Sequence, residues 1–139
     1  MKLSKKADYA LKAVRILSKL SKGELNSIYT IARKGNIPRE FLAKILQDLM
    51  GAGIVVAFKG VKGGYRLTRP ADKISYLDVI EAMNGPLQLT LCIESGKCSC
   101  YSVDDYCRMH QFWVTQQKVF KNALRKQRFG TKRYVRMKS

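Results

Sequence analysis

Acidic residues and catalytic side chains are scarce in this chain of 139 residues. It has 10 Asp+Glu against 27 Lys+Arg and a single His, and its formal net charge at pH 7 is +17. No run approaches the roughly 20 apolar residues that cross a bilayer, and residues 1–14 lack the continuous apolar run of a signal peptide. We therefore expect no membrane partner and a cytoplasmic location. Because 46% of the residues are hydrophobic, a core can form, which excludes a disordered basic tail.

The sequence also lacks the groups that most enzymes need. Its glycine-rich stretch GVKGGY, residues 60–65, has no Lys-Ser or Lys-Thr ending, so it does not match a phosphate-binding loop. Nucleophilic chemistry would depend on the one histidine beside a cysteine, with no evident orienting partner. We predict that the protein is not an enzyme.

The basic residues form two blocks around an acidic middle. Residues 1–70 hold 15 basic and 4 acidic side chains, residues 71–110 hold 3 and 6, and residues 111–139 hold 9 and 0. Such a division favours a part that binds a polyanion and a separate segment with another task. Nucleic acid is the leading polyanion, because no long stretch combines aromatics with a basic face as a membrane-surface helix does. The alternative is that the charge only keeps the protein in solution.

Hydrophobic periodicity predicts three helices and a β-hairpin in the N-terminal part. Apolar residues spaced by three and four predict a helix over 3–21, and Ser27 begins a short helix through Lys34 that Gly35 terminates. A third helix follows Pro38 and stops at Gly51 after a short turn, which is the pattern of a helix-turn-helix. The β-branched stretch 54–58, a glycine-rich turn and residues 65–67 predict a hairpin, the wing.

The predicted fold is mainly α with a small β-hairpin wing: a winged helix-turn-helix with a long C-terminal helix. Ser75 and Asp78 form a capping box that opens a helix to Met83. We divide the chain into a winged helix-turn-helix DNA-binding domain (1–86), a cysteine-rich loop (87–106), the C-terminal helix (107–129), to which the resemblance described below gives the role of a dimerisation helix, and a basic tail (130–139).

Several polar side chains lie off the apolar stripes of the helix-turn-helix and wing. Residues early in a recognition helix can reach base edges, and basic residues on a wing can reach phosphates or a minor groove. The alternative is a winged helix used only for protein contacts. The candidates for DNA contact are Ser27, Tyr29, Thr30, Arg39, Lys44, Lys59, Lys62, Tyr65 and Arg66.

All four cysteines fall within sixteen residues, at Cys92, Cys98, Cys100 and Cys107. In a chain without an export signal, clustered thiols indicate metal binding or redox sensing. Their wide, uneven spacing fits a loop around an iron–sulfur cluster better than a zinc ribbon, although zinc and reduced thiols remain alternatives. His110 follows Cys107 by three residues, which places both on one helical face and makes His110 a candidate ligand.

The stretch IPREFLAKILQDLMGAGIVVAFKGVKGGYRLTRP, residues 37–70, resembles the recognition helix and wing of the winged-helix transcription regulators that include IscR, NsrR and CymR. The opening MKLSKKADYALKAVRILSKL is similar to that family's first helix. The resemblance covers about residues 1–125. It implies a homodimer paired through the C-terminal helix on a near-palindromic operator in double-stranded DNA. In the cluster-binding members it also implies an iron–sulfur centre, of two-iron or four-iron form, whose state changes DNA affinity.

The same resemblance implies the ligands of such a cluster. Cys92 and Cys107 match the first and third cysteines of the family's loop, and either Cys98 or Cys100 matches the second. In IscR-like members the fourth ligand is a histidine at the position that His110 matches. In NsrR-like members it is a carboxylate from the partner subunit, at the position that Asp8 matches. The extra cysteine offers an all-thiolate set instead.

We therefore interpret the chain as a dimeric DNA-binding repressor that senses redox chemistry, nitric oxide or iron–sulfur status through a cysteine-ligated cluster. One alternative is a winged-helix DNA-binding protein with a structural zinc or no metal. The other, from a different class, is a basic RNA- or ribosome-associated protein.

Overall fold

The computed structural model describes residues 2–94 and 107–130, which form a mainly helical fold with a two-stranded hairpin. This confirms the predicted fold. No helix in the described ranges is long and apolar enough to cross a membrane. In chain order the elements are α1 (Lys5–Ser18), α2 (Ile28–Gly35), α3 (Arg39–Gly51), β1 (Val55–Phe58), β2 (Gly64–Leu67), a 3-10 turn (Ala71–Lys73), α4 (Tyr76–Asn84), α5 (Leu91–Glu94) and α6 (Arg108–Lys126).

Serine side chains begin three of the helices. The hydroxyls of Ser4, Ser27 and Ser75 each accept a hydrogen bond from the backbone N–H three residues later. At Ser75 the predicted capping box is complete, because the Asp78 carboxylate also accepts from the Ser75 N–H at 2.9 Å. Each cap satisfies N–H groups that have no partner inside the helix, so it fixes where the helix starts.

The core lies between α1, α2, α3 and α4. On α1 the buried residues Ala7, Ala10 and Ala13 are small, and this allows α4 to approach the helix closely. Larger aliphatic side chains from the other elements fill the remaining space. The fully buried large residues are Val14, Ile31, Leu42, Ile45, Leu46, Leu49, Ile74, Val79 and Ile80.

The turn of the helix-turn-helix differs in detail from the prediction. Gly35 does not terminate α2 but is its last residue, and Asn36 takes the left-handed conformation instead, with φ of 49°. Asparagine tolerates that conformation better than most residues. At Gly35 a β-carbon would lie 2.8 Å from Ile37 Cδ1 and 3.2 Å from Ile16 Cδ1. A side chain at this position would have to displace the Ile37 and Ile16 side chains, so the glycine avoids crowding there and does not make the turn.

Two backbone hydrogen bonds join the wing to the helix-turn-helix, in addition to the bonds between the two strands of the wing. Strands β1 and β2 are antiparallel, with Val56 opposite Arg66. On the other edge of β2, the Tyr65 N–H donates to the Asn26 carbonyl at 2.8 Å and the Asn26 N–H donates to the Tyr65 carbonyl at 3.1 Å. Asn26 directly precedes the Ser27 cap of α2, so the wing and α2 form one rigid unit.

The C-terminal helix is shorter than predicted. Helix α6 ends at Lys126, not at Phe129, and residues 127–130 turn back onto the DNA-binding domain. The Tyr76 N–H donates to the Gln127 carbonyl at 2.9 Å, and the Phe129 N–H donates to the Ile74 carbonyl at 3.3 Å. The rings of Phe129 and Tyr76 lie 4.7 Å apart between centroids. We call residues 127–130 the C-terminal clasp.

Candidate nucleic-acid interface and cysteine site

Helix α3 presents polar side chains on the face opposite its buried stripe. Arg39 and Lys44 are exposed, whereas Leu42, Ile45 and Leu46 are buried in the core. Two further contacts fix α3 against α1. Lys6 Nζ lies 2.6 Å from Asp48 Oδ2, and the rings of Tyr9 and Phe41 meet edge to face with centroids 5.5 Å apart. A helix held in this way can enter a major groove without rearranging.

The start of α2 lies beside the start of α3. Ser27 and Thr30 are half-buried, and their hydroxyl oxygens lie 3.0 Å apart, so both hydroxyls take part in the helix cap. Tyr29 is 64% exposed. Its ring lies under the Arg39 guanidinium, whose central carbon is 4.9 Å from the ring centroid. The structure thus brings together four of the predicted DNA-contact residues.

The wing carries the remaining candidates. Lys59 and Lys62 are exposed on the hairpin, on either side of the fully exposed Val61. The Arg66 guanidinium lies over the Phe58 ring at 4.7 Å. Tyr65 is half-buried and packs against the core, so its ring anchors the wing as well as lying near the predicted interface.

Sequence reasoning named Tyr29 as a DNA contact, but it did not predict the contacts that orient the basic side chains. Tyr29 and Phe58 lie under arginines, and Asp48 pairs with Lys6 across two helices. The register of a short hairpin could have suggested the Phe58–Arg66 contact, since the two residues are diagonal neighbours. No local pattern indicates the other two contacts, because each joins separate helices.

The two described cysteines each contact His110, near the start of α6. Cys92, on α5, has its sulfur 3.4 Å from His110 Nδ1 and 3.1 Å from the Thr90 hydroxyl. Cys107 is the N-cap of α6, and its sulfur accepts from the His110 N–H at 3.4 Å. The Leu89 N–H donates to the Gln117 side chain at 2.8 Å, which holds residues 88–94 along α6. His110 thus contacts both cysteines, Cys92 through its ring and Cys107 through its backbone N–H.

Among the described residues, Asp8 is the one other predicted ligand, and it lies on a different helix from His110. Asp8 is exposed on α1, and its carboxylate lies 3.2 Å from Lys12 Nζ. Cys98 and Cys100 lie outside the described residues, as does the basic tail beyond Gly130. Within residues 2–94 and 107–130, no three His, Cys, Asp or Glu side chains form a metal-binding group.

Comparison with known proteins gives a consistent result. The profile of the Rrf2 family, described as iron-dependent transcriptional regulator, matches residues 3–131. A protein of Aquifex aeolicus (strain VF5), named as an HTH-type transcriptional regulator, is 36% identical over 106 residues, covering 76% of this chain and 72% of that protein. Protein aau3 of Rhizobium meliloti is 37% identical over 105 residues, covering 75% and 67%.

Solved structures agree on the fold. Oxidised CymR of Staphylococcus aureus has 26% identity and a TM-score of 0.74, covering 99% of this chain and 100% of that one. Two structures with lower identity share the fold alone. CymR of B. subtilis, the global cysteine regulator, has 24% identity and a TM-score of 0.74, with 93% of each chain covered. IscR of T. potens has 22% identity and a TM-score of 0.74, covering 93% of this chain and 83% of that one. The chain belongs to the Rrf2 family and is a DNA-binding transcription regulator, not an enzyme.

Proposed function

We propose that the protein is a homodimeric repressor whose affinity for a near-palindromic operator responds to redox chemistry, nitric oxide or iron–sulfur status through a cysteine-ligated cluster. The observation that carries this proposal is that Cys92 and Cys107, although 15 positions apart in the chain, both contact His110 near the start of α6. This site lies in the same fold as the recognition helix α3 and a basic wing. The proposal places the protein in the cytoplasm together with its DNA.

The DNA-binding half of the proposal rests on exposed charge. Residues 1–70 have 15 basic and 4 acidic side chains, and Arg39, Lys44, Lys59 and Lys62 are exposed on the recognition helix and wing. We assign base contacts to α3 and phosphate or minor-groove contacts to the wing. Ser27 and Thr30 would contact the DNA backbone through their hydroxyl groups, and Arg66 would join the contacts of the wing beside Tyr65.

The dimer half rests on α6. None of its residues is buried in the single chain. Met109, Phe112 and Phe120 are 59%, 54% and 42% exposed and recur along one side of the helix. We call this side, with Val119, the α6 stripe. A second copy of the chain packed on the stripe would remove this apolar surface from water and would place two recognition helices on one operator.

The donor set fits an iron–sulfur cluster. Thiolates and imidazole are the ligands that such clusters and zinc both accept. In our proposal Cys92, Cys107 and either Cys98 or Cys100 hold the cluster, and His110, Asp8 of a second subunit or the remaining cysteine completes the set. A bound cluster would supply reactivity toward oxygen and nitric oxide. The N-terminal end of α6 stabilises the negative charge of thiolate ligands there.

The same residues provide a mechanical link to the DNA-binding domain. The start of α6 carries Cys107 and His110, and its end is tied to α4 by the C-terminal clasp. Ligation of the cysteines would fix residues 87–107 against α6. The separation and tilt of two recognition helices in a dimer would then depend on the state of the cysteine site.

The first test is an absorption spectrum of anaerobically purified protein, with iron, sulfide and zinc measured on the same sample. We expect brown protein with iron and sulfide near stoichiometry. Colourless protein holding zinc would favour a structural clamp, and protein that stays metal-free after reconstitution would reject metal sensing. Binding to duplex promoter DNA in competition with RNA separates the regulator from an RNA-binding protein.

Cysteine variants identify the ligands. Cys98→Ala and Cys100→Ala form a matched pair: a loss of iron in only one variant identifies the second ligand, and a loss in both indicates the all-thiolate set. Replacing Cys92, Cys107 and the identified second cysteine with Ala should remove the redox dependence of operator binding without unfolding the protein. If this triple variant and the wild type bind operator identically under every redox condition, cluster sensing is wrong.

A further inference from the structure

The starts of α2 and α3 meet in a contact between an aromatic ring and an arginine. Tyr29 is the second residue of α2 and Arg39 is the first residue of α3. The guanidinium of Arg39 lies 4.9 Å from the centre of the Tyr29 ring, within the range of a cation–π contact. Both side chains are exposed, so the contact stabilises the core little. Its main physical effect is to restrict where the guanidinium can be.

We propose that Tyr29 is a positioning residue that holds Arg39 for reading a guanine in the major groove of the operator. This inference rests on the proposed operator binding and adds the residue pair and the base that give it specificity. Arg39 is the first residue of α3, the recognition helix. Side chains at the N-terminal end of a recognition helix are the ones that reach base edges in the major groove.

Guanine is the base that fits this arginine. It presents two acceptors, O6 and N7, on its major-groove edge, and the planar fork of a guanidinium matches both at once. An arginine side chain loses much rotational freedom when it makes such a bidentate contact. The Tyr29 ring removes part of that freedom before DNA binds, so less of it is lost on binding. A lysine at this position would keep the charge but could not make the forked contact.

The wing provides a matched comparison. Arg66 lies over the Phe58 ring at 4.7 Å, so it has the same type of contact outside the recognition helix. We assign Arg66 to phosphate or minor-groove contact, which carries little sequence information. Removing the ring beneath Arg66 should weaken binding to all DNA alike. Removing the ring beneath Arg39 should weaken binding to the operator more than to other DNA.

The experiment uses the full chain and a duplex selected by the wild-type protein from a randomised pool, with a scrambled duplex of the same composition for comparison. The readout is the specificity ratio, the affinity for the selected duplex divided by that for the scrambled one. We expect Tyr29→Ala to lower this ratio about two- to fivefold. Arg39→Ala and Arg39→Lys should each lower it about tenfold or more. Phe58→Ala should leave it unchanged.

Two further measurements separate stacking from other roles of Tyr29. Tyr29→Phe keeps the ring but removes the hydroxyl. If the ring holds Arg39, this variant should keep the wild-type specificity ratio. If Tyr29 acted through a hydroxyl contact to phosphate, the variant would lose that contact. Once Arg39 is Ala, Tyr29→Ala should have no additional effect. Replacing the contacted guanine by 7-deazaguanine, which lacks N7, should weaken wild-type binding and leave binding by the Arg39→Ala protein unchanged. An unaltered unfolding midpoint for Tyr29→Ala shows that the fold is intact.

The outcomes are distinct. A wild-type protein that selects no sequence would reject the proposed operator binding, and the inference with it. Sequence-specific wild-type binding together with an unchanged ratio for Tyr29→Ala would overturn this inference alone. A ratio for Tyr29→Phe as low as that of Tyr29→Ala would also overturn it, since the hydroxyl and not the ring would then be responsible.

Discussion

Gly64 and Gly51 occupy surroundings that differ completely. A β-carbon on Gly64 would lie 2.6 Å from the Asn26 carbonyl oxygen and 2.8 Å from its carbon. These are backbone atoms, and they take part in the hydrogen bonds that join β2 to the start of α2. At Gly51, the last residue of α3, a β-carbon would meet nothing within 4 Å. Gly64, in the wing, therefore cannot carry a side chain unless the backbone moves, whereas Gly51 can.

At the residue scale, we predict that Gly64→Ala lowers the free energy of unfolding by about 1–3 kcal/mol, because an overpacked site must push the backbone apart. It should also weaken DNA binding, since the wing loses its attachment to α2. Gly51→Ala is the control and should leave stability unchanged or raise it by less than about 1 kcal/mol. Urea unfolding and duplex binding measure both effects. Equal stability of the two variants would contradict the prediction.

At the element scale, the C-terminal clasp joins the end of α6 to the start of α4. It combines two backbone hydrogen bonds with the packing of Phe129 on Tyr76. Gly130 lies so close to Asp72 that a β-carbon would be 2.7 Å from its amide nitrogen. Helix α6 is therefore attached to the rest of the chain in two places: by the contacts near its start, and by the C-terminal clasp at its end. A movement at the cysteine site can therefore reach the DNA-binding domain through the rigid helix.

We predict that Phe129→Ala destabilises the protein by about 1 kcal/mol, because the side chain is only partly buried and about half of the value for a fully buried phenylalanine is lost. It should also reduce any difference in operator affinity between oxidised and reduced protein. Phe58→Ala removes an exposed phenylalanine from the wing and serves as the control, with little loss of stability. Thermal unfolding and binding assays under both conditions check the result. Full redox dependence in the Phe129→Ala protein would exclude a role of the clasp in coupling.

The α6 stripe gives a second prediction at the element scale. Phe120→Asp places a charge on the apolar side of α6, and we expect it to weaken the proposed dimer by about 3 kcal/mol, or roughly 100-fold in dissociation constant. Asn122→Asp adds a charge of the same sign on an exposed position outside the stripe and should leave the dimer intact. Sedimentation equilibrium measures both. A dimer that survives Phe120→Asp would show that the subunits pair elsewhere.

At the scale of the whole molecule, we expect the surface charge to govern DNA binding and the apolar core to govern stability. The net charge of +17 arises from two basic blocks, and the middle block, residues 71–110, has 3 basic and 6 acidic side chains. The core that holds the recognition helix is aliphatic and contains no buried ion pair among the described residues. Salt should therefore act on DNA binding far more than on stability.

We predict that raising salt from about 50 to 200 mM weakens operator binding by about 10³-fold or more, as for proteins that make six to ten phosphate contacts. Lys62→Ala should reduce the slope of log affinity against log salt by about one. Lys118→Ala, on α6, is the matched control and should leave that slope unchanged. The unfolding midpoint should change little over the same range. A slope unaffected by Lys62→Ala would remove the wing from the interface.

Local sequence determined most of the elements. Ser4, Ser27 and Ser75 fixed three helix starts, because a serine hydroxyl bonds N–H groups only a few residues away. The period of the apolar residues identified the helices and the hairpin. The predicted fold and family were confirmed for the same reason: a winged helix is built from short-range signals in a fixed order. The clustering of the four cysteines within sixteen residues was equally visible in the chain.

Contacts between distant residues depended on the tertiary structure. The return of residues 127–130 to α4, the pairing of Asn26 with Tyr65 and the contact of Cys92 with His110 each join parts of the chain that no helical or strand period relates. The end of α6 was predicted three residues too late because the Gln127 carbonyl and the Phe129 N–H form hydrogen bonds with residues 76 and 74, and helical propensity does not include such bonds. The stacking of Arg39 on Tyr29 belongs to this class too, since the turn between α2 and α3 brings the two side chains together.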